Sequence, residues 1–140
     1  MRIGKELTLA ALIFVCLFHS TVLAQEKSPP RAFERKALTD IYYSEGANAG
    51  DVNGDGKMDV VYGPLWFEGP DFTKKHEIYP PKPQNREFYA DNFFSWVYDF
   101  NGDGMCDVFV VGFPGTPAYV YENPGSGKLD THWKLSLIHI

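Results

Sequence analysis

The chain of 140 residues has few features that would build helices. Between residues 40 and 134 no apolar residues recur at helical spacing, and eight of the ten prolines fall in that stretch, where each would interrupt a helix. Short runs rich in valine and aromatic residues, ended by glycine or proline, occur there instead. Such runs are typical of β-strands, so this part of the chain is predicted to be all-β rather than helical.

Basic residues are also scarce. Lys and Arg number 13 against 18 Asp and Glu, which leaves a net charge of −5. The sequence has no basic stripe of the kind that binds nucleic acid, and no basic amphipathic helix that would lie on a membrane surface. We therefore expect neither a nucleic-acid partner nor peripheral membrane binding.

The sequence motifs of common catalytic sites are missing. There is no G-x-S-x-G elbow, no H-E-x-x-H helix and no glycine-rich loop for a phosphate. His76, His132 and His139 have no partner at the spacing of a metal site or a catalytic dyad. We predict that this chain holds no catalytic residue.

The N-terminus has the pattern of a secretory signal peptide. Arg2 and Lys5 precede an apolar run over residues 7–18, and a small-residue cleavage pattern follows at residues 22–24. A single spanning helix is the alternative, but the run is shorter than the roughly 20 apolar residues that cross a bilayer. Cleavage after residue 24 predicts a secreted, periplasmic or cell-surface protein with no membrane span. Residues 25–39 then form a polar, proline-bearing lead-in of a composition compatible with disorder.

Cysteine is too rare to form a disulfide in the mature chain. Cys16 would leave with the signal peptide, and Cys106 would remain alone. An odd cysteine in a secreted protein can form an intermolecular disulfide or act as a reactive thiol. In a similar segment, residues 51–59, the position that matches Cys106 is occupied by Met58. This match favours a third role for Cys106, that of a small buried apolar residue.

Two nine-residue segments, DVNGDGKMD at 51–59 and DFNGDGMCD at 99–107, are nearly identical. Oxygen-bearing side chains stand at positions 1, 3, 5 and 9, and a glycine stands at position 6, as in loops that wrap Ca²⁺ with an additional main-chain carbonyl from position 7. The predicted ligands are Asp51, Asn53, Asp55, Asp59 and the carbonyl of Lys57 in the first loop, and Asp99, Asn101, Asp103, Asp107 and the carbonyl of Met105 in the second.

The negative charge of the mature chain is concentrated in these loops, since acidic and basic residues balance elsewhere. Carboxylates about 5 Å apart repel by roughly 3 kcal/mol per pair at an effective dielectric constant near 20. A divalent cation reverses the sign of that interaction, so we predict about two structural Ca²⁺ ions. The alternative is that these segments are ordinary turns, which Asp, Asn and Gly also favour.

The residues that follow each loop distinguish between the known families of calcium-binding loop. A helix-loop-helix hand needs a glutamate at position 12, where this chain has Tyr62 and Val110. A dockerin also carries two such loops, but it predicts helices after them and a much shorter offset than the 48 residues between Asp51 and Asp99. Valine-rich runs follow both loops instead, so each loop is predicted to join strand to strand.

Two segments, GANAGDVNGDGKMDVVYGP at 46–64 and FFSWVYDFNGDGMCDVFVVGFPG at 93–115, resemble FG-GAP or VCBS repeats. In integrin α-subunits and many bacterial secreted proteins these repeats form propeller blades with a calcium loop between two strands. The resemblance covers residues 40–134 and implies a partial β-propeller of about two blades of antiparallel strands. The offset of 48 residues is close to that of four-stranded blades.

The predicted strands cover residues 40–44, 47–50, 58–62, 75–79, 93–98, 106–111, 117–121 and 131–135. Because propellers close with about 4–8 blades, we expect the natural protein to continue. The last six residues, LSLIHI at 135–140, match one reading frame of a transposon end used in sequencing-library preparation. They are interpreted as an adapter artefact, and a genuine final strand is the alternative.

Aromatic residues make up 16% of the chain. They are expected to pack mostly between blades, with Trp66 and Phe67, in a predicted loop between Gly63 and Gly69, as the most exposed. The predicted function is a secreted calcium-binding module that binds or scaffolds a protein or carbohydrate partner. The alternative is the substrate-binding part of an exported carbohydrate-active enzyme whose catalytic residues lie in further sequence.

Overall fold

The computed structural model describes residues 33–138. The predicted signal peptide, most of the polar lead-in and the last two residues lie outside that range. No helix occurs among the described residues, so none there is long and apolar enough to cross a bilayer. Eight strands form two four-stranded antiparallel sheets, which confirms the prediction of an all-β fold.

The two sheets are built from consecutive strands. The first sheet has the order β1-β2-β3-β4 and the second has the order β5-β6-β7-β8. The strands of the first sheet are β1 Ala47–Gly50, β2 Asp59–Tyr62, β3 Leu65–Phe67 and β4 Lys75–Glu77. Those of the second are β5 Phe94–Tyr98, β6 Asp107–Val111, β7 Ala118–Glu122 and β8 Lys134–Ile138.

The first two strands of each sheet are paired in the same register. Gly50 lies opposite Asp59 in the first sheet, and Tyr98 lies opposite Asp107 in the second. These pairs are related by the 48-residue offset of the sequence. Each aspartate-rich loop therefore joins the first strand of its sheet to the second, as predicted.

Strand β3 corrects one prediction. The stretch between Gly63 and Gly69 is not an exposed loop, because Leu65–Phe67 pairs with β2 on one side and β4 on the other. Trp66 and Phe67 are consequently buried, with 0% and 2% of their surface exposed. The reversal is possible because Gly63 adopts a left-handed backbone with φ of 58°, which lets the chain turn within two residues.

Two other strand predictions were misplaced. Residues 40–44 form no strand, and only Ser44 makes an isolated parallel bridge, to Asn92. The last strand lies at Lys134–Ile138 rather than at 131–135. It pairs with β7 along its whole length and so includes residues of the segment interpreted as an adapter artefact, whose origin stays a prediction.

The core lies between the two sheets and also covers the far side of the first. The larger buried cluster joins Val61 and Trp66 of the first sheet to Val108 and Val110 of the second, and Val52, Ile78 and Trp133 complete it. A second cluster of Tyr43, Leu65 and Phe67 occupies the other face of the first sheet. The first sheet is therefore packed on both faces.

Candidate metal centre

The aspartate at position 1 organises each loop. The Asp51 carboxylate accepts hydrogen bonds from the N–H groups at positions 4, 5 and 6, with donor–acceptor distances of 2.8–3.0 Å. Asp99 accepts the same three bonds at 2.7–3.1 Å. These bonds, led by the one from Gly104, lower the pKa of Asp99 below its ordinary value. Each loop is thus wound around a carboxylate that accepts three main-chain hydrogen bonds.

The glycines at position 6 are required by backbone conformation rather than by space. Gly56 and Gly104 have φ of 82° and 90°, in the left-handed region that side chains with a Cβ rarely adopt. A Cβ added at either position would meet no atom within 4 Å. The left-handed backbone therefore explains why glycine stands at position 6 of both loops.

The side chains at positions 3 and 5 fold back on the same loop. Asn53 Oδ1 accepts the N–H of Asp55 at 3.0 Å, and Asn101 Oδ1 accepts that of Asp103 at 2.8 Å. The position-5 aspartates accept the N–H at position 7, at 2.9 Å from Lys57 and 2.8 Å from Met105. The N–H of Lys57 is the main cause of a lowered pKa at Asp55.

The aspartate at position 9 turns into the protein instead. Asp59 and Asp107 are both fully buried. Asp59 accepts the N–H of Val52 at 2.8 Å and that of Gly69 at 2.8 Å. Asp107 accepts the N–H of Phe100 at 3.1 Å and that of Asn123 at 2.8 Å. Burial raises the pKa of Asp107 despite these bonds. Both aspartates therefore hold the loop against the end of the third strand of its sheet.

Asn123 is a contributor that the sequence reasoning missed. Its N–H donates to Asp107 at 2.8 Å, and its side-chain amide donates to the carbonyls of Val52 and Cys106, both at 2.9 Å. One buried residue thus links the first loop to the second. A signal was present, since Glu122-Asn123-Pro124 matches Glu68-Gly69-Pro70 in its first and third residues.

The two loops differ at position 7. Lys57 places its ammonium 3.2 Å from Asp55 Oδ2 in an exposed ion pair. In the second loop the corresponding oxygen of Asp103 accepts instead from the Asn101 amide, at 3.0 Å. The position-5 carboxylate of the first loop therefore has a cationic partner and that of the second loop has a neutral one.

The loops do not present a finished cluster of metal ligands. Within residues 33–138, no three His, Cys, Asp or Glu side chains lie together in a way that could hold a metal ion. Positions 1, 3 and 5 each point into their own loop, whereas position 9 points into the core. Asp51 Oδ2 and Asp99 Oδ2 each accept only one of these hydrogen bonds, which leaves each of them lone-pair capacity for a second interaction. The ligand atoms that these positions offer to a metal are all oxygens. Ca²⁺ prefers oxygen ligands, whereas structural Zn²⁺ sites are built from Cys and His.

Cys106, at position 8 of the second loop, is half-buried and forms no disulfide. Burial is the first cause that raises the pKa of its thiol, and Asp51 and Asp99 add to it. The thiolate needed for reactivity is therefore disfavoured. Met58, the matching residue, is 58% exposed, so it does not support the buried apolar role predicted for Cys106.

A buried histidine lies beside the first loop. His76 contacts Glu68 through Nε2 and Asp130 through Nδ1, both at 2.7 Å, and stacks on Trp66 with 4.2 Å between ring centroids. Each ring nitrogen of His76 thus faces a carboxylate oxygen. Asn53 and Asp55 line the same cavity of about 320 Å³, so this charged cluster borders the candidate metal loop.

Stability is expected to fall in acid partly through Glu68. Hydrogen bonds from Lys74 and then His76 lower its pKa below the ordinary 4.5. A depressed native pKa stabilises the fold fully above pH 4.5, and this stabilisation is lost as the pH falls through the native value. Urea unfolding in chelator between pH 6 and 3 measures it. Glu68→Gln should flatten the decline below pH 4.5, and an unchanged slope would contradict this assignment.

No protein-family model, curated protein or solved structure matches the chain. The resemblance to FG-GAP or VCBS repeats therefore stays a prediction from the two loop segments.

Proposed function

We propose that residues 51–59 and 99–107 are two structural Ca²⁺ sites in a secreted β-propeller module that binds a protein or glycan partner. The observation that carries the proposal is the matched geometry of the loops. In both, a position-1 carboxylate accepts three successive N–H groups. Both loops also join the first two strands of a sheet.

Electrostatics supports a cation at these loops. Asp51 and Asp55 lie within five residues of one another on a loop whose N–H groups keep their side chains turned inward. A bound Ca²⁺ would supply the positive charge that offsets the repulsion between such carboxylates. The left-handed glycines let each loop curve, and Asp59 and Asp107 attach the loops to their sheets.

The position of the loops supports a structural rather than a catalytic role. Asp59 holds the first loop to the end of β3, and Asn123 connects that loop to the second sheet through the carbonyl of Val52. Ordering the loops would therefore stabilise the contact between the two sheets. This supports two neighbouring blades whose packing depends on calcium.

The cleft between the sheets supports a glycan as the partner. Tyr79 and Tyr121 stack there with 4.4 Å between ring centroids, and they line a cavity of about 240 Å³ together with Tyr119 and Asn92. Aromatic rings with a few polar groups are common in small-ligand sites. A glycan array probed with the calcium-loaded chain tests this part of the proposal.

Lys57→Met is expected to tighten calcium binding at the first loop. The substitution removes the ammonium that pairs with Asp55 and reproduces the residue at position 7 of the second loop. Because the pair is exposed, the gain should be about two- to fivefold in affinity. Isothermal titration calorimetry on the Asp103→Ala background, in which only the first loop binds, measures it. Equal affinities for the two chains would show that Lys57 does not compete with the ion.

A further inference from the structure

The cavity between the two sheets has a buried polar wall beside its stacked tyrosines. Tyr79 and Asn92 line this cavity of about 240 Å³, and Asn92 is only 4% exposed. The side-chain amide of Asn92 donates to the Tyr79 hydroxyl oxygen at 3.0 Å. The amide oxygen accepts from the hydroxyl of Ser44 at 3.1 Å. Three side chains thus form a chain of hydrogen bonds that ends at Tyr79.

The Tyr79 hydroxyl is left to act as a donor. Because an amide N–H only donates, the hydroxyl oxygen is the acceptor in the contact with Asn92. Asn92 is the one hydrogen-bond partner of this hydroxyl within residues 33–138, so the hydroxyl hydrogen remains for a further acceptor. Burial raises the pKa of Tyr79 to about 12, and the hydroxyl therefore keeps its hydrogen at neutral pH. A ligand in the cavity meets a hydrogen-bond donor here.

The rim of the cavity carries an ion pair. Lys82 Nζ lies 3.0 Å from Asp91 Oδ2, and the side-chain amide of Gln84 donates to the same oxygen at 3.4 Å. Both contacts use Oδ2, which leaves Oδ1 of Asp91 with capacity to accept from a ligand. Among the described residues that line the cavity, Lys82 is the one basic side chain. The rim therefore offers an acceptor, and its cation is already paired.

These groups select a ligand by size and by charge. Sites for drug-sized molecules measure about 300–1,000 Å³, so the smaller volume of this cavity suits one ring rather than several. An anionic ligand would compete with Asp91 for Lys82, whereas a neutral polyol can accept from Tyr79 and donate to Asp91 while the ion pair stays intact. Tyr121, stacked on Tyr79, adds ring surface against which the apolar side of a sugar can pack.

We propose that this cavity binds one neutral pyranose, the end unit of a glycan, with Tyr79 donating to one of its oxygens and Asp91 accepting from one of its hydroxyls. Asp91 also sets the charge preference, because it holds the cation that would otherwise attract a uronic acid. The inference rests on the glycan part of the proposed function and narrows it to glycans that end in an uncharged sugar. It does not use the calcium sites.

The test titrates the calcium-loaded full chain with methyl pyranosides, followed by ligand-observed NMR. The neutral probes are the methyl glycosides of glucose, galactose, mannose and N-acetylglucosamine, and the acidic probe is methyl glucuronoside. We expect at least one neutral probe to bind, and the glucuronoside to bind at least about tenfold more weakly. Binding of no neutral probe, or tighter binding of the glucuronoside, would overturn the proposal.

Two conservative variants test the roles of the side chains. Tyr79→Phe removes only the donor and should weaken binding of the neutral sugar about two- to tenfold. Asp91→Asn removes the charged acceptor and frees Lys82, so it should weaken binding of the neutral sugar and strengthen that of the glucuronoside. Equal affinities for the original chain and both variants would contradict the assignment. Asp91 is exposed, so its variant keeps the test decisive even if Tyr79→Phe does not fold.

Tyr98→Phe is the matched control for the loss of a hydroxyl. Tyr98 lies on β5, is 65% exposed and does not line the cavity. Its substitution should leave the affinities for both kinds of sugar unchanged. An effect as large as that of Tyr79→Phe would show that the loss does not report on the cavity.

Failure of this inference is distinguishable from failure of the proposed function. If a glycan array gives hits that Tyr79→Phe and Asp91→Asn do not weaken, the glycan partner stands and the cavity is not its site. If the array gives no hit, the glycan part of the proposed function fails as well. The metal sites are read separately, from the difference in melting temperature between calcium and chelator, which these variants should not change.

Discussion

Replacing Trp66 by alanine is expected to lower the free energy of unfolding by about 3–5 kcal/mol. The side chain is fully buried, stacks on His76 and belongs to the cluster that joins the two sheets. The substitution opens a large cavity at that junction and removes the ring on which the buried His76 stacks. Because small domains are stable by about 5–15 kcal/mol, urea denaturation should show a much earlier midpoint.

Trp96→Ala is the matched control, since it removes the same side chain from a position on β5 that is 45% exposed. It should cost about 1 kcal/mol or less. Similar losses for the two variants would show that Trp66 is not a core residue. The assignment of the buried interface to that face of the first sheet would then be wrong.

Saturating calcium is expected to raise the melting temperature by roughly 10–20 °C for one occupied loop at an ion concentration about a hundredfold above Kd. Asp55→Ala should remove the contribution of the first loop and Asp103→Ala that of the second. The double variant should melt at the same temperature in calcium and in chelator. Differential scanning calorimetry of the four chains in both buffers measures this.

The matched control is Asp71→Ala, which removes an exposed aspartate whose partner is Thr73 and which lies outside both loops. It should keep the full calcium response. If the double variant still responded to calcium, the ion would bind elsewhere in the chain. If the wild-type chain melted at the same temperature in calcium and in chelator, the ion would have no structural role.

Local patterns predicted most of the sheet structure. Valine runs after each loop and the aspartate spacing were enough to place β2 and β6, because β-branched residues favour strands. Strand β3 was missed because Leu65–Phe67 is only three residues long and is flanked by glycine and proline, which usually indicate a loop. Its burial depends on long-range pairing that no local pattern reveals.

The candidate site was also predicted only in part, because some of its contacts are local in the sequence and others are long-range. The curvature of the loops around Asp51 and Asp99 depends on residues within five positions of each aspartate. It could therefore be predicted from the local sequence. The inward turn of Asp107 depends on Asn123, which is 16 residues away. The burial of Trp66 likewise depends on the packing of the second sheet against the first, and strand patterns alone do not specify that arrangement.

Calorimetric titration of the full chain with Ca²⁺ tests the central claim most directly. The account predicts uptake of two ions, reduced to one by Asp55→Ala or Asp103→Ala and to none by both together. A titration that detects no heat of binding, repeated at a second temperature to exclude a vanishing enthalpy, would contradict it.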